Sequence, residues 1–238
     1  MSRDGEQKGA AAAINSQGDL LVETTGRHGP DVSSQRTDAL DLAALEFARK
    51  AALCHAPAVA VDLGAGLGAQ TARFVAAGMS VLMVDLVPRQ GIVDELNLRY
   101  GQGRVSAFVG DVRRMPPGEM PREVHILYSQ RMLHYLRHAE AARVLAAFAG
   151  RMAAGARLFL SCACLESELS GGYSALGEPL GQRFGLLAPA MAQKHDVHEP
   201  LCLYARDEFL DLAGGAGFKA IEAYRSDFGT LKGVFERC

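Results

Sequence analysis

Apolar positions along this chain follow two alternating rhythms. From Thr37 onward, Leu40, Ala44, Phe47 and Ala48 share one face of a 3.6-residue period, which predicts a helix over 37–56. The run from Ala58 to Leu63 is short, mostly apolar and closed by a glycine-rich turn, as expected of a buried strand. A helix over 69–77 follows and stops at Gly78. The same alternation then predicts a strand at 80–84, a helix at 89–99, strands at 104–109 and 124–128, a helix at 139–153 and a strand at 156–161. In the 139–153 segment Val144, Phe148 and Met152 fall four residues apart. A helix at 206–213, a glycine-rich stop, and strands at 218–224 and 231–235 complete the pattern. Strands alternating with helices of this length predict an α/β fold, Rossmann-like, with a mainly parallel sheet and helices on both faces.

Two stretches break the rhythm. Residues 1–36 are rich in Gly, Ser, Gln, Asp and Ala without sustained apolar periodicity, and read as a mobile tail. Residues 165–203 are punctuated by Gly and Pro and are long for a plain loop, which points to a functional insertion. The expected organisation is therefore a tail at 1–36, a helix at 37–56, and one principal domain over 57–238 with a substrate lid at 165–203.

Composition narrows the function classes. Of 238 residues, 49% are hydrophobic, enough for the core of one large domain. A net charge of -2 gives no general excess of cations for a polyanion, so a nucleic-acid partner is disfavoured. A local basic face of Arg113, Arg114, Arg122 and Arg131 keeps a protein or RNA substrate as an alternative. Five cysteines, odd in number and without a CxxC pair, read as reduced thiols of a cytoplasmic protein and predict no metal site. The opening residues carry no signal-peptide core, and no segment has the roughly 20 apolar residues of a membrane span. Nothing in the pattern sets an oligomeric state.

The candidate chemistry begins at Asp62-Leu-Gly64-Ala-Gly66-Leu-Gly68, where a strand turns into a helix. Glycines there permit a tight turn, and the helix N-terminus offers unpaired N–H groups to a ligand. The run also satisfies the dinucleotide pattern, so the turn alone does not separate a nicotinamide cofactor from S-adenosylmethionine. Asp62 favours the latter, because a carboxylate there repels a pyrophosphate and attracts an amino group. Asp85, ending the second strand, suits ribose hydroxyls of either cofactor. Asp111, ending the third, can accept from an adenine amino group.

Taken together, VDLGAGLGAQT, VLMVDLVP, GDVRRMP and VHILYSQRMLHYL resemble the successive motifs of class I S-adenosylmethionine-dependent methyltransferases. The resemblance covers about 57–238 and implies a seven-stranded sheet ending in an antiparallel hairpin. It implies S-adenosyl-L-methionine as cofactor, with Asp62, Gly64, Gly66 and Gly68 at the methionine part, Asp85 and Leu86 at the ribose, Asp111 and Val112 at the adenine, and Ser129 nearby. It implies an enzyme methylating an O, N or S atom of a small molecule. A methyltransferase-like binding protein without turnover is a further alternative, and a nicotinamide-dependent oxidoreductase ranks below these.

Methyl transfer from a sulfonium is an in-line displacement in which positioning supplies much of the rate and a base is optional. Tyr128, Gln130 and Arg131 stand at the fourth strand end, where substrates enter folds of this kind. The segment lacks the DPPY-type and Pro-Cys sequences of DNA methylation, a further mark against nucleic acid. His134, His195 and His198 are the candidate acid-base groups. Tyr173 and Phe184, with Tyr204, are candidates to stack on a substrate. Packing, capping or solvation is the competing reading for each of these side chains.

Overall fold

The structure is a computed structural model, and it describes residues 28, 29, 35–227 and 229–238. Helix α1 (Ala39–Cys54) starts at a capping box. Asp38 Oδ1 accepts from the Leu40 and Asp41 N–H groups, and the Asp41 side chain accepts from the Asp38 N–H at 2.8 Å. Strand β1 (Val59–Leu63), α2 (Ala69–Ala76), β2 (Ser80–Asp85), α3 (Gln90–Tyr100) and β3 (Val105–Val109) follow. Next come β4 (Val124–Gln130), α4 (His138–Ala149), β5 (Met152–Ala163), α5 (Pro189–His195), α6 (Arg206–Gly215), β6 (Phe218–Arg225) and β7 (Thr230–Arg237).

The seven strands form one sheet in the order β3-β2-β1-β4-β5-β7-β6, with the first five parallel. Strand β7 runs antiparallel to both β5 and β6, so a terminal hairpin closes the sheet. Alternation along the strands separates two apolar layers. Ile126, Tyr128, Phe159 and Val234 pack towards α1 and α2 with Leu40, Ala44, Ala48 and Phe74. Leu127, Leu158, Leu160 and Phe235 pack towards α4 and α6 with Leu145, Phe148 and Phe209.

The 139–153 helix expected from the pattern ends early. Gly150 caps α4, and Met152 opens β5, where it pairs with Val124. Met152 lies four residues after Phe148, the spacing of one helical face, but the Arg151 N–H closes a turn onto the Phe148 carbonyl at 2.8 Å. The register between β4 and β5 then shifts, so that Ile126 faces Arg157. Outer strand β6 carries a similar shift between Ala220 and Glu222, leaving Ile221 half exposed.

The 165–203 insertion has structure of its own: a 3₁₀ turn at Glu168–Ser170, helix α5, and a small core of Tyr173, Leu187, Leu201 and Leu203. Most of the stretch read as a mobile tail lies outside the described residues. His28 and Gly29 do not behave as free chain: His28 bridges Val197 in antiparallel fashion and the Gly29 N–H donates to the Asp196 carbonyl at 2.9 Å. Cys162, Cys164 and Cys202 are buried free thiols, and burial pushes each up from its ordinary value, which makes them poor nucleophiles. Among the described residues no helix is long and apolar enough to cross a membrane.

Candidate functional site

Order along the sheet reverses between β1 and β4, and in open α/β sheets a crevice opens at the carboxyl ends of strands on either side of such a reversal. A cavity of about 770 Å³ occupies this place. Its floor includes Asp62 of β1 with Gly64, Ala65 and Gly66 of the turn that follows, Asp85 at the end of β2 with Leu86, and Asp111 and Val112 after β3. Farther walls come from the end of β4, from the 165–203 insertion, and from the β6–β7 hairpin.

Each floor residue is held by a local cause. Asp62 is buried and accepts from the Thr71 hydroxyl at 2.7 Å, which ties α2 to the strand below it. Gly64 adopts φ +72°, a conformation costly to side-chain-bearing residues, and its N–H and that of Ala65 donate to the Val84 carbonyl. The two oxygens of Asp85 accept from the Gly66 N–H at 2.8 Å and the Val87 N–H at 2.9 Å. The carboxylate is thereby fixed, with further lone pairs left for a ligand. Asp111 accepts from Arg113, which also reaches Glu140 at 3.1 Å. The hydrogen bond from Arg113 outweighs burial and holds Asp111 below the usual carboxylate range. Gly68 is not part of the lining; a Cβ there would stand 2.9 Å from Ile92 Cγ2, so its smallness serves the approach of α2 to α3.

At the end of β4, alternation decides which side chains reach the cavity. Tyr128 and Gln130 line it, while Ser129 points to the opposite face, fully buried and with no hydrogen-bond partner for its hydroxyl. Tyr128 donates to Asp41, and Gln130 Nε2 donates to Asp38 and Asp41 at 3.1 and 3.2 Å. Lys232 of β7 completes this group by pairing with Asp38. Burial alone would raise Asp38, but the hydrogen bond and charge of Lys232 bring it below its ordinary value. Burial, reinforced by the neighbouring Asp38, raises Asp41. Sequence reading missed Asp38, Asp41 and Lys232, because a capping pair and a lysine near the end of the chain look alike whether or not they meet. Arg131 also lines the cavity, at φ +57°, with its N–H anchored to Ser161 Oγ at 2.9 Å. Of the four arginines read as a basic face, Arg113 is engaged by two carboxylates and Arg131 lines the cavity.

The three candidate histidines differ in setting. His134 is buried, lines the cavity, and accepts the Ala163 N–H at Nδ1 (3.3 Å), which places the hydrogen of the neutral ring on Nε2. His195 lines the cavity and directs Nε2 to Glu168 at 2.9 Å, a carboxylate also held by Lys194 at 2.5 Å. His198 faces Asp196 at 3.3 Å and is absent from the cavity wall. Tyr173 and Phe184 are not brought to the cavity either. The Tyr173 hydroxyl donates to the Leu201 carbonyl at 2.6 Å inside the lid core, and Phe184 lies beneath Arg137 at 4.9 Å. Tyr204 is fully buried in the main core. The residues of the 165–203 insertion that do line the cavity are Glu168, Leu169, His195, Val197 and Leu201.

Burial, with help from the Arg131 and His28 charges, pushes His134 down to about 3 from an ordinary 6.5. The unfolded chain takes up a proton below 6.5 while the folded ring does not. Stability is therefore full above that value and falls as pH drops below it, by up to about 1.4 kcal/mol per pH unit. His134→Asn, which retains an acceptor for Ala163, should remove about 2 kcal/mol of the stability lost between about pH 7 and pH 5. Denaturant titrations of both proteins at the two pH values measure this; equal losses would mean that the ring is protonated in the folded state.

No family model matches the chain, and no curated protein matches it. Solved structures do resemble it. The 1,6-didemethyltoxoflavin-N1-methyltransferase of Burkholderia thailandensis, with bound 1,6-didemethyltoxoflavin and S-adenosylhomocysteine, is 22% identical, with 82% of this chain matching 78% of that one at a TM-score of 0.55. The N,N-8-amino-8-demethyl-D-riboflavin dimethyltransferase of Streptomyces davawensis is 18% identical, over 83% of this chain and 57% of that one, at 0.54. An O-methyltransferase family 2 protein of Planctomyces limnophilus, in complex with apigenin, is 19% identical, over 86% and 63%, at 0.53. The chain thus spans less than two thirds of the latter two proteins. Its fold is the Rossmann-like fold of the class I S-adenosylmethionine-dependent methyltransferases.

Proposed function

We propose that this protein transfers the methyl group of S-adenosylmethionine to an O, N or S atom of a small molecule held beneath the 165–203 lid. The observation that carries the reading is the fixed carboxylate of Asp85 beside the Asp62–Gly66 turn, at one end of a cavity that continues past β4 to the lid and hairpin. Asp62 lines that floor as well, an acidic neighbour that suits an amino group and opposes a pyrophosphate. Its volume of about 770 Å³ falls in the range of sites that enclose small ligands. Small-molecule methylation is supported by the structural neighbours, whose bound compounds are 1,6-didemethyltoxoflavin and apigenin.

In this reading Asp85 accepts both ribose hydroxyls, Asp111 and Val112 meet the adenine, and the Gly64–Gly66 backbone meets the methionine part. S-adenosylmethionine supplies the electrophilic methyl group. Gln130, Arg131 and His134 orient the acceptor, His134 as a donor through Nε2, and the apolar lid residues Leu169, Val197 and Leu201 keep water out.

Calorimetry with S-adenosylmethionine, S-adenosylhomocysteine and NAD tests the assignment. Both adenosyl compounds should bind and raise the melting temperature, and NAD should do neither. Asp85→Ala should weaken S-adenosylhomocysteine binding by about 1–3 kcal/mol, roughly 5- to 150-fold, through loss of charge-assisted hydrogen bonds. Binding of NAD alone would overturn the proposal.

A further inference from the structure

We infer that His28, from the segment ahead of α1, faces the methyl-transfer locus and takes the proton that the acceptor gives up. The inference rests on the methyltransferase reading above. Three contacts place the residue. Its backbone bridges Val197 of the lid, and the next N–H, that of Gly29, donates to the Asp196 carbonyl at 2.9 Å. The Tyr135 hydroxyl donates to the His28 carbonyl at 2.7 Å. The imidazole stands edge-on to the Tyr135 ring, with centroids 4.5 Å apart, and Tyr135 in turn lies 4.4 Å from the His134 ring. Both His28 and Gly29 line the cavity.

The other histidines read as acid-base candidates stand in different settings. His134 accepts at Nδ1 and so carries its hydrogen on Nε2, making it a donor towards the cavity; His195 directs Nε2 to Glu168; His198 lies outside the wall. His28 has no ring nitrogen engaged in a hydrogen bond among the described residues. The groups around it are Tyr135 and His134 from the turn after β4, Glu199 from the lid and Asp85 from the end of β2. Burial lowers its ordinary value despite the opposing charges of Glu199 and Asp85, so the neutral ring prevails near neutral pH.

The step balances without another reagent. A lone pair of the acceptor atom forms the bond to the methyl carbon as the carbon–sulfur bond breaks, and that bond's electron pair stays on sulfur, giving S-adenosylhomocysteine. The acceptor proton passes to a ring nitrogen of His28 and then to water. The segment read from composition as a mobile tail thereby contributes a working side chain.

The test needs no acceptor. S-adenosylmethionine carries a positive sulfonium and S-adenosylhomocysteine a neutral sulfur, so a ring at the transfer locus feels the difference as a charge. The imidazole protons of the full chain are titrated by NMR with each compound in turn, and the His28 signal is assigned by its loss in His28→Gln. His28 should titrate lower with S-adenosylmethionine than with S-adenosylhomocysteine by about half a unit or more. Equal values in the two complexes would overturn the inference, as would the same displacement appearing at His195 instead. Failure of both compounds to bind is a separate result, which removes the methyltransferase reading and this inference with it.

Discussion

Replacing Lys232 with Met should cost this protein about 2–4 kcal/mol, because the ammonium stands between a capping aspartate and the sheet with almost no access to water. Without it, Asp38 and Asp41 face each other at the start of α1 with no opposing cation in their hydrogen-bonded group. The loss falls short of that for a fully buried pair, since Asp38 opens onto the cavity and water can reach it. Asp38→Asn in the same protein removes the stranded charge and keeps an oxygen for the helix cap, so the double variant should recover most of the stability. The pH dependence has a defined sign. Asp38 titrates below its ordinary 3.8 in the folded chain, so its pairing stabilises above that value and the contribution fades as pH falls through the lowered one. The gap between wild type and Lys232→Met should therefore be widest near neutrality and narrow in acid. Urea titrations across that range measure it; a gap independent of pH would show that lost packing, not lost pairing, explains the change.

Gly64→Val is expected to damage both stability and binding. The position has φ +72°, and a Cβ there would lie 2.7 Å from both Cβ and Cγ of Met132. Strain in the left-handed region and overpacking each cost about 1–3 kcal/mol, so a loss of about 2–4 kcal/mol is expected if Met132 moves partly aside. Such a move shifts the turn after β4 that carries His134 and Tyr135, and the added methyl groups intrude on the cavity floor. Binding of S-adenosylhomocysteine should become undetectable while the circular dichroism spectrum remains that of a folded protein. Wild-type affinity in this variant would mean that the ligand does not approach the turn.

Much of the fold was legible because its strands are short apolar runs and its helices have one apolar face, patterns set locally. The error at 139–153 is instructive. Periodicity carried the helix on to Met152, whereas Gly150 and the turn closed by Arg151 ended it after Ala149. Glycine turns and strand-end aspartates were equally readable, since their positions follow from the elements around them. The acceptor side was not. Ser129 went to the opposite face of the sheet by the alternation that brings Tyr128 and Gln130 forward, and Tyr173 was consumed by the lid's own core. Asp38, Lys232 and His28 meet this end of the molecule from parts of the chain far apart in sequence, and no local pattern announces such a meeting.

The displaced register in the first half of β6 also bears on how this molecule behaves among its own copies. An outer strand with unpaired backbone groups is a template onto which another chain can add, and the usual defences are charge, brevity or a kink. Here one extra residue, Ile221, is accommodated opposite β7 between Ala220 and Glu222, and Lys219 and Glu222 flank the irregularity. A kink of this sort increases local twist and turns a flat docking edge into one that a straight strand cannot follow for more than a few residues. The misalignment therefore works at this margin against the addition of a further strand.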